Sequence, residues 1–324
     1  MDRAMKDMLI DYIRSGELPP SGDEARRQLM REIGVRNMFI KSRLSGLLSA
    51  LGPQDVQAIV MKGAHLIQSI YPFGVRPIED IDILADRSCQ QKIDEALRGL
   101  GYAARIEGMD LWTHMTFSNK ITYIRKGEFP LIPIDVHFSL GPYPYLGKLS
   151  YERLRSETAE LRTPDGSLRV LKPEMLLIHL CLHLFQHHFD DWEVSCCDIV
   201  AVVRSLGDAL DWERVVRLTR ELGIGLPVAY ALEKARELSP IEIPAELLPG
   251  RMSSTAWERW VFRRSLKQRT PFDRYVLQFL TTPGAGAKLR GAVKIIAPGR
   301  RQLQLYHGGN YLRYLREVWK SASR

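Results

Sequence analysis

At 324 residues, 45% hydrophobic and 26% charged, the chain has an ordinary globular composition and is too apolar to be disordered. No apolar run reaches the roughly 20 residues of a membrane helix, and the opening Met1-Asp2-Arg3-Ala4-Met5-Lys6 lacks a signal-peptide hydrophobic region. The net charge of +8 is uneven: residues 251–324 hold 16 Lys/Arg against 3 Asp/Glu, leaving 30 against 35 in the first 250. Such a basic C-terminal quarter suits a solvated helical face or contact with a polyanion such as RNA, a nucleotide or an acidic membrane surface. The four cysteines, Cys89, Cys181, Cys196 and Cys197, make no paired framework. Reduced thiols in a cytoplasmic protein are the expectation.

Residues 1–50 read as two helices. Met5, Met8, Leu9, Tyr12 and Ile13 form one apolar stripe, and Leu18-Pro19-Pro20-Ser21-Gly22 breaks it. A second stripe from Asp23 onward carries Leu29, Ile33, Met38, Ile40, Leu44, Leu47 and Leu48 until Gly52-Pro53 stops it. This part is expected to pack on a sheet and shows no chemistry of its own.

A short apolar strand with Val56, Ala58, Ile59, Val60 and Met61 comes next. It leads through a tight Lys62-Gly63-Ala64 turn into a helix that lasts to Ile70. A loop with Pro72, Gly74 and Pro77 then feeds a second strand carrying Asp80-Ile81-Asp82. Strand side chains alternate, so Asp80 and Asp82 share one face while Ile81 and Ile83 point into the core. Two carboxylates side by side raise each other's pKa and are comfortable with a cation between them. Hard divalent ions of the Mg²⁺ kind take such oxygen ligands together with substrate phosphates.

Ser88 is expected to cap a helix over 89–100, ended by Gly101. Strands are predicted over 102–106 and 115–125, with Ser118-Asn119-Lys120 readable as a hairpin turn. The stretch 131–138 is a further strand whose proline favours an edge or the first residues. On it Pro133, Asp135 and His137 share a face, so a third carboxylate rises from an apolar strand, a costly place without a partner. Residues 141–147 read as a loop and Thr163-Pro164-Asp165-Gly166 as a turn within a hairpin. From Pro173, at a helix's first turn, helices are expected over 173–188, 192–206, 212–222, 226–238, 255–269 and 311–320. Pro283 to Lys288 reads as a flexible linker, since it lacks phosphate-loop spacing.

His179, His183 and His187 recur every four residues on one helix, followed by His188, Asp190 and Asp191. A zinc-protease reading fails because Leu180 stands where that motif needs Glu. His179 and His183 either line a groove between sheet and helices or pack structurally, with Asp198 placed to orient one of them.

Lys62-Gly63-Ala64, Asp80-Ile81-Asp82 and Ile134-Asp135-Val136 together resemble the polymerase-β-like nucleotidyltransferase superfamily. The form MKGAHLIQSIYPFGVRPIEDIDIL followed by IDVHF and a His-rich helix looks like its bacterial family of uncharacterised nucleotidyltransferases. The resemblance implies an α+β fold, a mixed sheet flanked by helices, with a C-terminal helical domain. In chain order the expected elements divide the protein into a helical lead-in at 1–52, a core, catalytic by the resemblance, at 53–171 and a helical, finally basic part at 172–324. The resemblance also implies transfer of a nucleoside monophosphate from an NTP, ATP by default, to a small molecule or peptide by a two-metal mechanism with pyrophosphate release. Mg²⁺ or Mn²⁺ would then sit on Asp80, Asp82 and Asp135. Gly63 and Ala64 would approach the phosphates, although Ala64 lacks the hydroxyl of the Ser found in many relatives. Lys62 and Arg76 would neutralise phosphate, unless Arg76 pairs with Glu79 or Asp82. His65 would cap the turn, touch phosphate or serve structure, and His137, His179 and His183 would border the substrate groove. An RNA acceptor and a non-catalytic nucleotide-binding role are the alternatives.

Overall fold

The computed structural model describes residues 1–105, 120–140, 149–186, 192–249, 251, 310–312 and 316. The architecture is α+β, as the resemblance implies. Helices α1 (Arg3–Ser15) and α2 (Glu24–Leu51) lead in, followed by β1 (Ile59–Val60), α3 (Lys62–Ser69), β2 (Ile81–Leu84) and α4 (Gln90–Gly99). Then come β3 (Ala103–Arg105), β4 (Lys120–Ile124), β5 (Ile134–His137), α5 (Tyr151–Leu154), β6 (Thr158–Thr163) and β7 (Gly166–Leu171). Helices α6 (Pro173–Gln186), α7 (Trp192–Leu206), α8 (Trp212–Leu222) and α9 (Gly225–Leu238) follow. The expected elements at 115–119, 141–147, 187–191, 255–269 and 283–288, and most of 311–320, lie outside the described residues.

The seven described strands form one mixed sheet in the order β3-β4-β5-β2-β1-β7-β6. Strand β2 runs parallel to β5 and antiparallel to β1, and β1 runs parallel to β7. Both faces are covered. Ile81, Ile83, Ile121, Tyr123, Ile134 and Val136 pack against Ile40, Leu44 and Leu47 of α2 and Ile93 and Leu97 of α4. Ile59, Met61 and Leu84 pack on the opposite side with α1, α6, α7 and α9. Helix α6 is apolar round most of its circumference, as a largely buried helix must be, and its residues 174–182 are all buried.

Several expectations shift locally. The first strand is only Ile59–Val60, and β5 begins at Ile134. Pro133 sits just before β5, where its missing N–H costs nothing and its carbonyl accepts from Ile81 N at 2.9 Å. Asp86, rather than Ser88, is the cap: its carboxylate accepts from Ser88 N at 2.7 Å and opens a 3₁₀ turn that precedes α4. Lys120 belongs to β4 instead of a turn.

The lead-in helix α2 does more than fill the back of the sheet. Arg36 Nε donates to Ile78 O at 2.7 Å, and its guanidinium also reaches the carbonyls of Glu79 and Leu131 at 3.4 and 3.3 Å. Asn37 Nδ2 donates to Arg76 O at 3.0 Å. Gly74, at φ 80°, lies so close to Met30 O that a Cβ there would collide with backbone. The loop that delivers Asp80 is therefore clamped to α2 by its own carbonyls, a use of orphan backbone acceptors that keeps an irregular segment in one place.

Candidate active site

Parallel pairing of β2 with β5 sets Asp82 opposite Asp135 and Leu84 opposite His137. Antiparallel pairing of β4 with β5 adds Thr122 opposite Asp135 and Lys120 opposite His137. Because alternate residues share a face, Asp82, Asp135, His137, Thr122 and Lys120 all rise on the side away from α2 and α4. Asp80 comes just before β2 and, with Asp82, Asp135 and Lys120, lines a cavity of about 710 Å³. That size is ordinary for a ligand pocket.

The carboxylates are bound to cations of the chain itself. Lys62 Nζ lies 2.6 Å and His137 Nε2 2.7 Å from the same Asp82 Oδ1. Thr122 Oγ1 donates to Asp135 Oδ1 at 2.6 Å, and Lys120 Nζ donates to Asp135 Oδ2. Burial pushes Asp82 up, but Lys62 and His137 outweigh it and hold the carboxyl well below the usual range. Asp80 goes the other way: burial first, then the neighbouring Asp82, raise it to about 7 against the pull of Lys62. The charge balance explains the contrast. Two lysines compensate two carboxylates and the third is left over, which is what a site built for an added cation should show.

Lys62 reaches Asp82 through an unusual backbone. Its φ of 46° is left-handed, which costs a residue with a side chain roughly 1 kcal/mol. The turn throws the chain from β1 directly into α3 and aims the ammonium across the strand ends. Gly63 follows for a packing reason: a Cβ there would sit 3.1 Å from Ile78 Cγ2.

Lys62, Gly63, Arg76, Asp80, Asp82, Asp135 and His183 all line the cavity. Ala64, His65, His137 and His179 are buried and do not line it. Burial lowers His65 to about 4, and its Nδ1 has no hydrogen-bond partner among the described residues. His179, 3% exposed, has neither ring nitrogen paired among those residues. Burial, then the charge of Lys62, lowers it to about 3. Its ring centroid is 6.4 Å from that of His183. Burial, then Lys62, also lowers His137, against the pull of Asp82.

Arg76 pairs with neither Glu79 nor Asp82. Its Nε and Nη2 donate to Asp198 Oδ1 and Oδ2 at 2.7 and 2.8 Å, and Tyr71 O–H joins the same carboxylate at 2.9 Å. Asp198 thus orients Arg76 rather than a histidine, and this buried fork ties the loop before Asp80 to α7. A planar guanidinium suits the bidentate geometry. His187, His188, Asp190 and Asp191 lie outside the described residues. Lys120, Thr122, Arg36 and Asn37 carried no sequence signal, because only the packing of β4 and α2 brings them here.

The donor set fits a divalent ion. One ligand atom each from Asp82, Asp135 and His137 all lie within 4.8 Å of one another. Asp80 is outside that trio but against it, and the cavity leaves an open side for phosphate or solvent oxygens.

No curated protein matches the chain. Among solved structures, it is similar to an antigenic nucleotidyltransferase-like protein from Paracoccidioides brasiliensis, 13% identical with a TM-score of 0.37 over 68% of this chain and 95% of that one. The sequence profile described as Uncharacterised nucleotidyltransferase matches residues 10–240, from within α1 to just past α9, and the chain therefore belongs to that family.

Proposed function

We propose that this protein is a cytoplasmic, metal-dependent nucleotidyltransferase that moves a nucleoside monophosphate from an NTP, ATP first, to a hydroxyl on a small molecule or peptide. The observation that carries this reading is the register of β2 with β5, which stands Asp82 against Asp135 at a cavity wall that Asp80 completes. In the reaction the acceptor oxygen bonds to the α-phosphorus, and the bond from that phosphorus to the bridging oxygen breaks. Pyrophosphate leaves, and Asp135 assists removal of the acceptor proton. Two Mg²⁺ or Mn²⁺ ions held by Asp80, Asp82 and Asp135 supply charge stabilisation to the attacking and leaving oxygens when bound.

The chain's own residues do the rest by position and charge. Lys62 exchanges Asp82 for phosphate oxygen, as its flexible stem permits. The first turn of α3 opens on the cavity at Lys62 and Gly63, where helix N–H groups favour anions. His183 on α6 borders the groove and meets base, ribose or acceptor. Residues 53–171 would form the catalytic core, with the helices from 172 as its roof. Arg76, engaged by Asp198, braces the loop instead of reaching for phosphate.

Incubation with each α-labelled NTP, Mg²⁺ or Mn²⁺ and cell extract tests the reading. Label should enter a product whose mass identifies the acceptor, with pyrophosphate released. Undiminished transfer by Asp82→Ala would sink it. An RNA end as acceptor is a second reading, supported by the 16 to 3 basic excess of residues 251–324. RNA binding that falls steeply with salt would mark it.

A further inference from the structure

The three carboxylates explain a magnesium-like site, but they do not explain the imidazole. His137 lies one register step beyond Asp135 on β5, and its Nε2 is 2.7 Å from the Asp82 oxygen that also meets Lys62. A residue there could have been any neutral donor if its only task were to hold Asp82. A nitrogen placed among two carboxylate oxygens, all within 4.8 Å, is instead a three-sided donor set. Mg²⁺ takes oxygen almost exclusively and insists on its waters. Imidazole favours first-row transition ions, with affinity rising from Mn²⁺ through Co²⁺.

We infer that one ion is held by Asp82, Asp135 and the Nε2 of His137, and that this mixed oxygen and nitrogen set prefers Mn²⁺ and its first-row neighbours to Mg²⁺. The inference rests on the metal dependence proposed above and goes further by choosing the ion. Entry of the ion is balanced without any co-reactant. Nε2 of His137 gives up its hydrogen bond to Asp82, its proton exchanges through solvent to Nδ1 so that the ring keeps one proton, and the Nε2 lone pair would face the ion. Lys62 leaves the same Asp82 oxygen, since that oxygen cannot serve ammonium and ion together.

A second observation points the same way. His179 sits mid-helix in the roof, 3% exposed, with both nitrogens unpartnered among the described residues. Buried donors without partners are rare and call for an occupant. Its ring centroid lies 6.4 Å from that of His183, which lines the same cavity as Asp82 and Asp135. We assign it as a positioning residue that hydrogen-bonds an oxygen ligand of the ion, the way outer ligands tune metal sites.

The test uses the full chain with Mn²⁺ alone. Pulsed EPR should show directly bound ¹⁴N, changing to the ¹⁵N pattern when histidine is ¹⁵N-labelled. His137→Gln should lose that coupling and weaken Mn²⁺ binding by about tenfold or more, with Mg²⁺ binding, read by calorimetry, little changed. His137→Asp, which keeps a ligand and guards against misfolding, should reverse the preference towards Mg²⁺. Absence of nitrogen coupling in the wild type overturns the inference. So does equal loss of both ions in His137→Gln. Nucleotide transfer with Mg²⁺ is read separately: transfer without nitrogen coupling sinks this inference and spares the proposed function, and nitrogen coupling without transfer does the reverse.

Discussion

The two faces of the central strands answer opposite demands with alternating residues. On one side Ile81, Ile83, Ile134 and Val136 are wholly buried against α2 and α4. On the other, one residue along in each case, Asp82, Asp135 and His137 are almost as buried yet polar. The apolar face gains from burial at about 25 cal/mol per Å². The polar face loses desolvation free energy and recovers it only through partners. The comparison teaches that stability and chemistry are separated by a single residue step on the same strands, so substitutions on the two faces should fail in different ways.

The largest expected effect is on the polar face. Asp82→Asn keeps the shape and removes the charge that Lys62 and His137 share, and transfer should drop by roughly 10³-fold, about 4 kcal/mol in the barrier. Circular dichroism should be unchanged, because Lys62 can turn to the open cavity. Unfolding of this variant under native conditions would mean that the two faces are not separable.

Asp198→Ala blurs the division from a distance. Arg76 would be left as a buried guanidinium with Tyr71 but no anion, and breaking such a pair costs roughly 3 kcal/mol. A urea midpoint measurement reads this directly. The loop from Tyr71 to Glu79 should loosen with it, so the KM for nucleotide should rise in any protein that stays folded. A stability loss with unchanged KM would confine Asp198 to packing.

The alternation itself was legible from sequence. Asp82, Asp135 and His137 fall on strand faces as the period of two predicts, which requires no knowledge of the fold, whereas Asp80, expected on the same strand, lies just before it. What β2 would meet was not legible, since register comes from tertiary packing. The pairing of His137 with Asp82, and the arrival of Lys120 and Thr122 from β4, follow from a neighbour that local pattern does not specify. Arg36 and Asn37 give no local signal for a related reason, and Asp198 is legible as an orienting residue but not its partner Arg76: each acts on residues about 40 or more than 120 positions away. Conversely, the expected β1 over Val56 to Met61 shrank to two residues, because an apolar run marks burial more reliably than strand length.

Acid should weaken the histidine-bearing side. Burial holds the folded His65 imidazole at about 4, below its ordinary 6.5. Above pH 6.5 the imidazole is neutral in both states and contributes no slope. Below it the unfolded chain takes up the proton first, so stability falls until the folded pKa is reached. At pH 5 the loss is about 2 kcal/mol from this residue alone. Chemical unfolding in EDTA at pH 7.5 and 5 should show it, with a smaller difference in His65→Leu. An equal slope in that variant would clear His65 of responsibility.

The smallest effect is the sharpest check on the comparison. Ile83 has no exposed surface and lies between Asp82 and Leu84 on β2. Ile83→Val removes one methyl from the apolar face, and such a change costs about 1 kcal/mol. The backbone that carries Asp82 is held independently by Met61 N on Asp82 O at 3.0 Å and by the β5 ladder. Loss of a methyl behind the strand should therefore lower the urea midpoint and leave kcat and KM within twofold or so, since a rate change of that size is only about 0.4 kcal/mol. A tenfold fall in kcat would mean that the carboxylates depend on dense packing behind them, and that the two faces form one mechanical unit.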